Sequence, residues 1–266
     1  MKHFHSIAAA FALLLCTGNV NAFTVVNHAT VAYIAQNHMT PKALRNYYKA
    51  FNNHTLMEFA SYPDFYRAAY LVNGKTISHR VNFDDNLNPV LPKEGEALNA
   101  YGAILRAIEQ LKDHRNLDDS TKYTALALLV HFMGDSHCPS HLRYADGRDR
   151  IETINYKIYR YKTKAEKLPF HSFWDSICTD YTFSESYVDR ALIFDTCTPR
   201  EIKEIQQGTL ADWMHCSAVL CKDIFNLKED QIVDRIYVTN MAGLAASQVR
   251  AAGYRLAALM NELFGK

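Results

Sequence analysis

Several things are scarce in this sequence. After position 22 no apolar run approaches the roughly 20 residues that a bilayer-spanning helix needs, so no stable membrane insertion is expected. No C-x-x-C spacing occurs among the 6 cysteines, which argues against a cysteine zinc motif. The 7 prolines and 10 glycines are scattered, so no linker divides the chain, and no repeat or low-complexity run is visible. A charge excess is missing too. With 29 basic and 28 acidic residues, nothing advertises a duplex binder working through a global positive field.

What is present begins with an export-type leader. MKHFH is short and basic, SIAAAFALLLCTG (6–18) is apolar, and VNA (20–22) has small residues at both ends, which places a cut before Phe23. A lipoprotein signal ending at Cys16 is the rival reading, but Leu15 is bulkier than such sites take. Residues 1–22 are therefore read as a signal peptide and 23–266 as one domain, exported and either periplasmic or secreted. Five cysteines follow the leader: Cys138, Cys178, Cys197, Cys216 and Cys221. Export permits disulfides, and an odd number leaves at least one thiol free or paired between chains. Asn53-His54-Thr55 is a glycosylation sequon only in a eukaryotic route. The brevity of the leader favours a bacterial one.

The remainder reads as all-α. HATVAYIAQNH (28–38) has helical composition, and Thr40-Pro41 pairs a cap with a proline at the first helical position. Pro63 can open another helix. GEALNAYGAILRAIEQLK (95–112) has apolar residues at helical spacing. DDSTKYTALALLVHFM (118–133) starts with capping residues and becomes apolar nearly all round, which predicts a central helix. Thr198, Pro199 and Glu201 form a capping box, with helix expected on to about Ile224. QVRAAGYRLAALMNELF (248–264) predicts a final amphipathic helix. ETINYKIYRYK (152–162) disagrees, and its β-branched and aromatic residues suggest a small hairpin or extended loop. One compact helical domain is the simplest account.

HFMGDSHCPSH (131–141) sets His and Asp at the end of the most apolar helix, where polar groups cost energy unless satisfied. His131 and Asp135 are four apart and share a helix face, as do His171 and Asp175 in HSFWD. His141 follows Pro139, His28 lies near the predicted mature terminus, and Asp64 and His79 complete the set. Imidazoles mixed with carboxylates suit zinc, and suit a catalytic site better than a closed structural one. A cut before Phe23 adds an α-amine that can bind metal near neutral pH. His137, two past Asp135, is a candidate extra ligand that would point away on a continuing helix. His38, His54, His114 and His215 read as ordinary histidines.

NHATVAYIAQ (27–36), ASYPDFYR (60–67), HFMGD-x-x-x-P-x-H, HS-x-WD and GYRLAALMNELF (253–264) together resemble the zinc-dependent single-strand-specific nucleases, which share a fold with bacterial zinc phospholipases C. The resemblance spans nearly the whole chain after the leader. It implies three zinc ions in a cleft: one on Asp64, His79, His131 and Asp135, a second on His141, His171 and Asp175, and a third on the Phe23 amine and carbonyl, His28 and Asp135. It implies in-line attack on phosphorus by hydroxide activated at zinc, with Asp64 orienting the nucleophile and Arg67 stabilising the transition state. Arg80 and Asn82 are implied substrate contacts. Single-stranded DNA and RNA are the implied substrates, cleaved to 5′-phosphorylated products, with 3′-nucleotidase activity left open beside it. No protein partner is expected.

The rim departs from the family. Phe23 stands where tryptophan is usual, and Arg80 where an aromatic residue often stacks on the base. Cys138 and Ser140 replace glutamine and leucine, Gly147-Arg148-Asp149 stands for Gly-Gly-Asn, and Pro169 for asparagine. Two alternatives accompany this reading: a phospholipase C acting on lipid phosphodiesters, and a zinc-binding interaction protein without catalysis.

Overall fold

The computed structural model describes residues 23–66, 71–72, 74–156, 166–182 and 186–266. The leader at 1–22, Arg67 and the far part of the expected hairpin, 157–162, lie outside the described residues. In chain order the structure runs α1 (Val25–Asn37), α2 (Pro41–Ala50), α3 (Leu56–Phe59), α4 (Tyr62–Phe65), β1 (Leu71–Val72), β2 (Lys75–Thr76), β3 (Val81–Phe83) and β4 (Pro89–Val90). There follow α5 (Ala100–Lys112), α6 (Asp119–Asp135), β5 (Leu142–Tyr144), β6 (Thr153–Tyr156), β7 (Glu166–Pro169), α7 (Phe170–Thr182), α8 (Tyr187–Phe194), α9 (Pro199–Ile205), α10 (Leu210–Leu220), β8 (Ile232–Val233) and α11 (Arg235–Phe264). Short 3-10 turns occupy Pro139–His141 and Lys222–Asn226. The chain is predominantly helical, as its sequence predicts.

α6 is the centre. Asp118 caps it, its carboxylate accepting from Thr121 N at 2.9 Å. From Ala125 to Asp135 every residue of α6 is buried, between α5 on one side and α1 and α11 on the other. Full burial of a leucine such as Leu126 or Leu129 stabilises by about 1.5–3 kcal/mol, and these side chains anchor the turn that carries His131 and Asp135. α1 lies closely along α11 because Gly253 has no side chain. A Cβ there would stand 2.7 Å from Ile34 Cβ and 3.2 Å from the Val31 carbonyl oxygen.

Local chemistry accounts for the helix boundaries. The Thr198–Glu201 capping box opens α9, with Pro199 in its first turn. The helix expected to reach Ile224 is divided, because Gly208 takes φ +90 and a second box, Thr209 with Asp212, starts α10. α11 begins at Arg235, well before 248, because Asp234 accepts from Tyr237 N at 2.8 Å and packing carries a segment of weak periodicity into helix. α5 begins later than 95, where Asn99 accepts from Gly102 N.

Among the described residues the strands form three small sheets, where a small hairpin or an extended loop was expected. β6 pairs antiparallel with β7, as the 152–162 composition suggested for its first half, and parallel with β8. β1 and β2 form a two-stranded ribbon. β3 lies between antiparallel β4 and parallel β5, which ties the His79 segment to the chain leaving α6. Among the described residues no helix is long and apolar enough to cross a membrane. Cys138, Cys197, Cys216 and Cys221 form no disulfide.

Candidate metal centre

The C-terminal turn of α6 gathers side chains from three other segments. His131 and Asp135 point the same way, with His131 Nε2 at 3.2 Å from Asp135 Oδ2. α1 brings His28, whose Nε2 lies 3.4 Å from Asp135 Oδ1. The segment before β3 brings His79, whose Nδ1 lies 2.9 Å from Asp135 Oδ2 and 3.1 Å from His131 Nε2. α4 brings Asp64, with Oδ1 at 3.6 Å from His79 Nδ1 and 3.8 Å from His131 Nε2. Pro63 in the first turn of α4 fixes the approach, leaving Asp64 buried while Tyr62, Phe65 and Tyr66 stay exposed.

A second group adjoins the first. After α6 the 3-10 turn Pro139–His141 redirects the chain, so His141 faces α7. There His171 Nε2 meets His141 Nε2 at 2.9 Å, and His171 Nδ1 meets Asp175 Oδ2 at 3.1 Å one turn on. Phe23 is fully buried, its ring centre 6.2 Å from that of His28, which sets residue 23 beside the third group of expected ligands.

Two of the ring nitrogens are committed to backbone carbonyls. A carbonyl oxygen can only accept, so His131 Nδ1 donates to Ala60 O at 2.8 Å and His141 Nδ1 donates to His79 O at 2.7 Å. In the neutral rings both Nε2 atoms then carry lone pairs. One lone pair faces Asp135 Oδ2. The other faces His171 Nε2, and His171 Nδ1 faces a carboxylate as well. A single ring proton on His171 cannot satisfy both of its contacts. Both oxygens of Asp135 and Oδ1 of Asp175 are buried without a hydrogen-bond partner. Acceptors converging in a buried site are costly unless a donor or a cation sits among them. The donor set fits zinc, as imidazole nitrogens and carboxylate oxygens whose second ring nitrogens are held by backbone carbonyls. His28, His131 and Asp135 make one candidate metal group, and Asp64, His79 and His131 another, each with ligand atoms within 4.8 Å of one another.

The electrostatics agree. Burial would raise the Asp135 carboxyl, but the positive charge that His131 and His141 would carry if protonated, with ring N–H bonds from His131 and His28, outweighs it and holds it well below the usual carboxylate range. Burial pushes His141 well below the usual imidazole value, which keeps it in the neutral, ligating form. Burial raises Asp175 to about 6.

His137 is not among these groups. Its Nδ1 lies 2.8 Å from Met133 O and its Nε2 2.8 Å from Arg255 Nη1, so both ring nitrogens are engaged elsewhere. Burial and Arg255 lower it to about 3, so it is a neutral acceptor for a buried arginine. His38 pairs with Asp195, His54 with Glu58, and His114 and His215 meet the carbonyls of Leu111 and Leu87. Arg80 is exposed beside His79, and Asn82 is half-buried in β3. Two parts of the site escaped the sequence. The carbonyls of Ala60 and His79 carry no side-chain signal at all. Arg143 is buried two residues past His141, and only the register of β5 against β3 reveals its place.

The S1/P1 Nuclease family matches residues 25–265. Endonuclease 1 of Arabidopsis thaliana is 21% identical, across 95% of this chain and 90% of its own length. Endonuclease 2 of the same plant is 25% identical across 62% of this chain and 61% of its own length, and Nuclease P1 of Penicillium citrinum 28% across 57% and 56%. The chain belongs to the S1/P1 nuclease family, and it is a hydrolase acting on phosphodiester bonds.

Proposed function

We propose that the protein is an exported, zinc-dependent phosphodiesterase that cleaves single-stranded DNA and RNA to 5′-phosphorylated products. The observation that supports this reading is the set of buried carboxylate oxygens and ring nitrogens around Asp135, which a bound cation would neutralise. Asp64, His79, His131 and Asp135 would hold one zinc ion, His141, His171 and Asp175 a second, and the Phe23 amine and carbonyl with His28 and Asp135 a third. When bound, zinc supplies a Lewis acid that makes hydroxide available near neutral pH and neutralises phosphoryl oxygens.

The chain's own groups do the rest. Asp64, buried at the edge of the group, accepts a hydrogen bond from the attacking water and aims it at phosphorus in line with the departing 3′-oxygen. Arg67, three residues on, would place its guanidinium on a phosphoryl oxygen as charge develops there. Tyr62, Phe65 and Tyr66, exposed beside Asp64, support a substrate with flat aromatic faces, since unpaired bases stack on such rings. A terminal 3′-phosphate presents the same P–O bond to the same groups, so 3′-nucleotidase activity belongs to the proposal. Export rests on residues 1–22, and it matters chemically because cleavage before Phe23 creates the free amine.

The test is to express the protein with its own leader and incubate it with single-stranded DNA and RNA, with and without EDTA. Chelator-sensitive release of 5′-phosphorylated products is the expected result. Zinc-replete protein that leaves both polymers intact overturns the reading. Phosphocholine release from vesicles would then favour the lipid alternative.

A further inference from the structure

We propose that Arg143, with Arg80 and Asn82, forms a receptor for a backbone phosphate of the bound single strand, next to the His141–His171 end of the metal centre. The inference rests on the phosphodiesterase reading above and extends it from the reacting phosphate to a neighbouring one.

Arg143 lies in β5, two residues after His141, and is almost fully buried. Its guanidinium carbon is 4.9 Å from the centre of the Phe170 ring, and Phe170 immediately precedes His171. A buried guanidinium needs acceptors for its five N–H groups. Among the described residues Arg143 Nη1 donates to Leu142 O at 3.3 Å, and the carboxylate it faces, Asp149, stays 3.9 Å away. Asp149 already accepts from Tyr144 N at 3.1 Å, so one of its oxygens is committed to the backbone.

The parallel register of β3 and β5 sets Asn82 opposite Arg143, so the two side chains leave the same sheet face. Arg80 precedes Asn82 by two residues, close enough for its charge to oppose that of Arg143. The side chains of Arg80 and Asn82 have no hydrogen-bond or ion-pair partner among the described residues. Arg143 and Asn82 thus share a sheet face beside the metal ligands, with Arg80 two residues before Asn82, and the carboxylates of Asp149, at 3.9 Å, and Glu152 offset the Arg143 charge only in part. The anionic oxygens of a phosphodiester would supply the missing charge and acceptors, and the planar fork of arginine suits them. A phosphate contact carries no base information. This edge of the site would therefore hold the strand by its backbone, at the position where Arg80 stands.

The test is binding of a fluorescent, cleavage-resistant phosphorothioate oligodeoxythymidylate to the zinc-replete protein between 50 and 200 mM salt. Losing one phosphate contact on a single strand lowers the slope of log K against log salt by about 0.7. Arg80→Ala and Arg143→Met should each show that loss, their combination about 1.4, and Arg143→Lys should recover the slope. Arg80 is exposed, so Arg80→Ala tests the idea even if Arg143→Met fails to fold. A lower Tm in Arg143→Met with wild-type slopes in both variants would mean that Arg143 only serves Asp149, and the proposal falls. Oligonucleotide binding with the expected slopes but no cleavage of ordinary DNA overturns the reaction reading and leaves this receptor standing. Cleavage with unaltered slopes does the reverse.

Discussion

The ring of His28 lies parallel to that of His131, with centroids 4.1 Å apart and an interplanar angle of 19°. α1 and α6 can bring the two rings this close because Gly134 offers no side chain. A Cβ on residue 134 would stand 2.7 Å from His28 Nδ1. Gly134→Ala must therefore push the His28 ring away from Asp135. The expected cost is about 1–3 kcal/mol of stability, as for an overpacked core. Zinc content, read by elemental analysis against protein concentration, should fall relative to wild type. Full zinc content in a folded Gly134→Ala protein would remove His28 from the ligand set.

Asp135 is the acid to which three histidines turn, with both oxygens buried. Asp135→Asn keeps the shape and removes the charge. Loss of a residue behind a metal ligand typically costs about 10–100-fold in affinity or activity, and the loss of this carboxylate should exceed that. Cleavage of single-stranded DNA and zinc retention on dialysis are the two readouts. Retention of both at wild-type levels would show that the carboxylate does not bridge the two groups.

Chelation should destabilise the fold as well as stop the reaction. The carboxylates of Asp135 and Asp175 are buried beside neutral imidazoles, and a bound cation offsets that burial. An ion held at a hundred times its dissociation constant stabilises by about 2.7 kcal/mol. For a domain of this size, each kilocalorie moves Tm by roughly 2–4 °C. EDTA should therefore lower Tm by about 5–10 °C per ion removed, recoverable with zinc. A Tm that ignores both chelator and zinc would disprove metal binding by these residues in the folded protein.

His137 should matter for stability and not for zinc. It accepts from Arg255, which also donates to the carbonyls of Ile205 and Trp213. His137→Leu leaves part of a buried guanidinium without its acceptor, at an expected cost of about 1–3 kcal/mol in denaturant melts. Its zinc content should match wild type. A drop in bound zinc without a drop in stability would put His137 in the metal shell after all.

Gly253→Ala tests the scaffold behind His28. The added methyl group meets Ile34 and the Val31 carbonyl, so α1 and α11 must separate. The expected loss is again about 1–3 kcal/mol, seen as a lower thermal midpoint. A midpoint equal to that of wild type would show that the two helices are not packed at this distance in solution.

The central helix, the capping of α2 and α9 and the pairs His131–Asp135 and His171–Asp175 were legible in the sequence, because each rests on interactions within a few residues. An apolar run, a proline after threonine and a four-residue spacing act locally, and so did the side-chain identities that suit zinc. Tertiary structure decided what local chemistry cannot. It lengthened α11 back to Arg235 by burying a segment of weak periodicity, and it broke the segment after Pro199 at Gly208. It turned His137 toward Arg255 and away from Asp135. It also held His131 and His141 by the carbonyls of Ala60 and His79, 71 and 62 residues distant in sequence. The sequence by itself thus determined which groups were available to bind a cation. Which of their lone pairs are left facing one another depends on backbone donors and acceptors brought together from far along the chain, and only the packed fold places those.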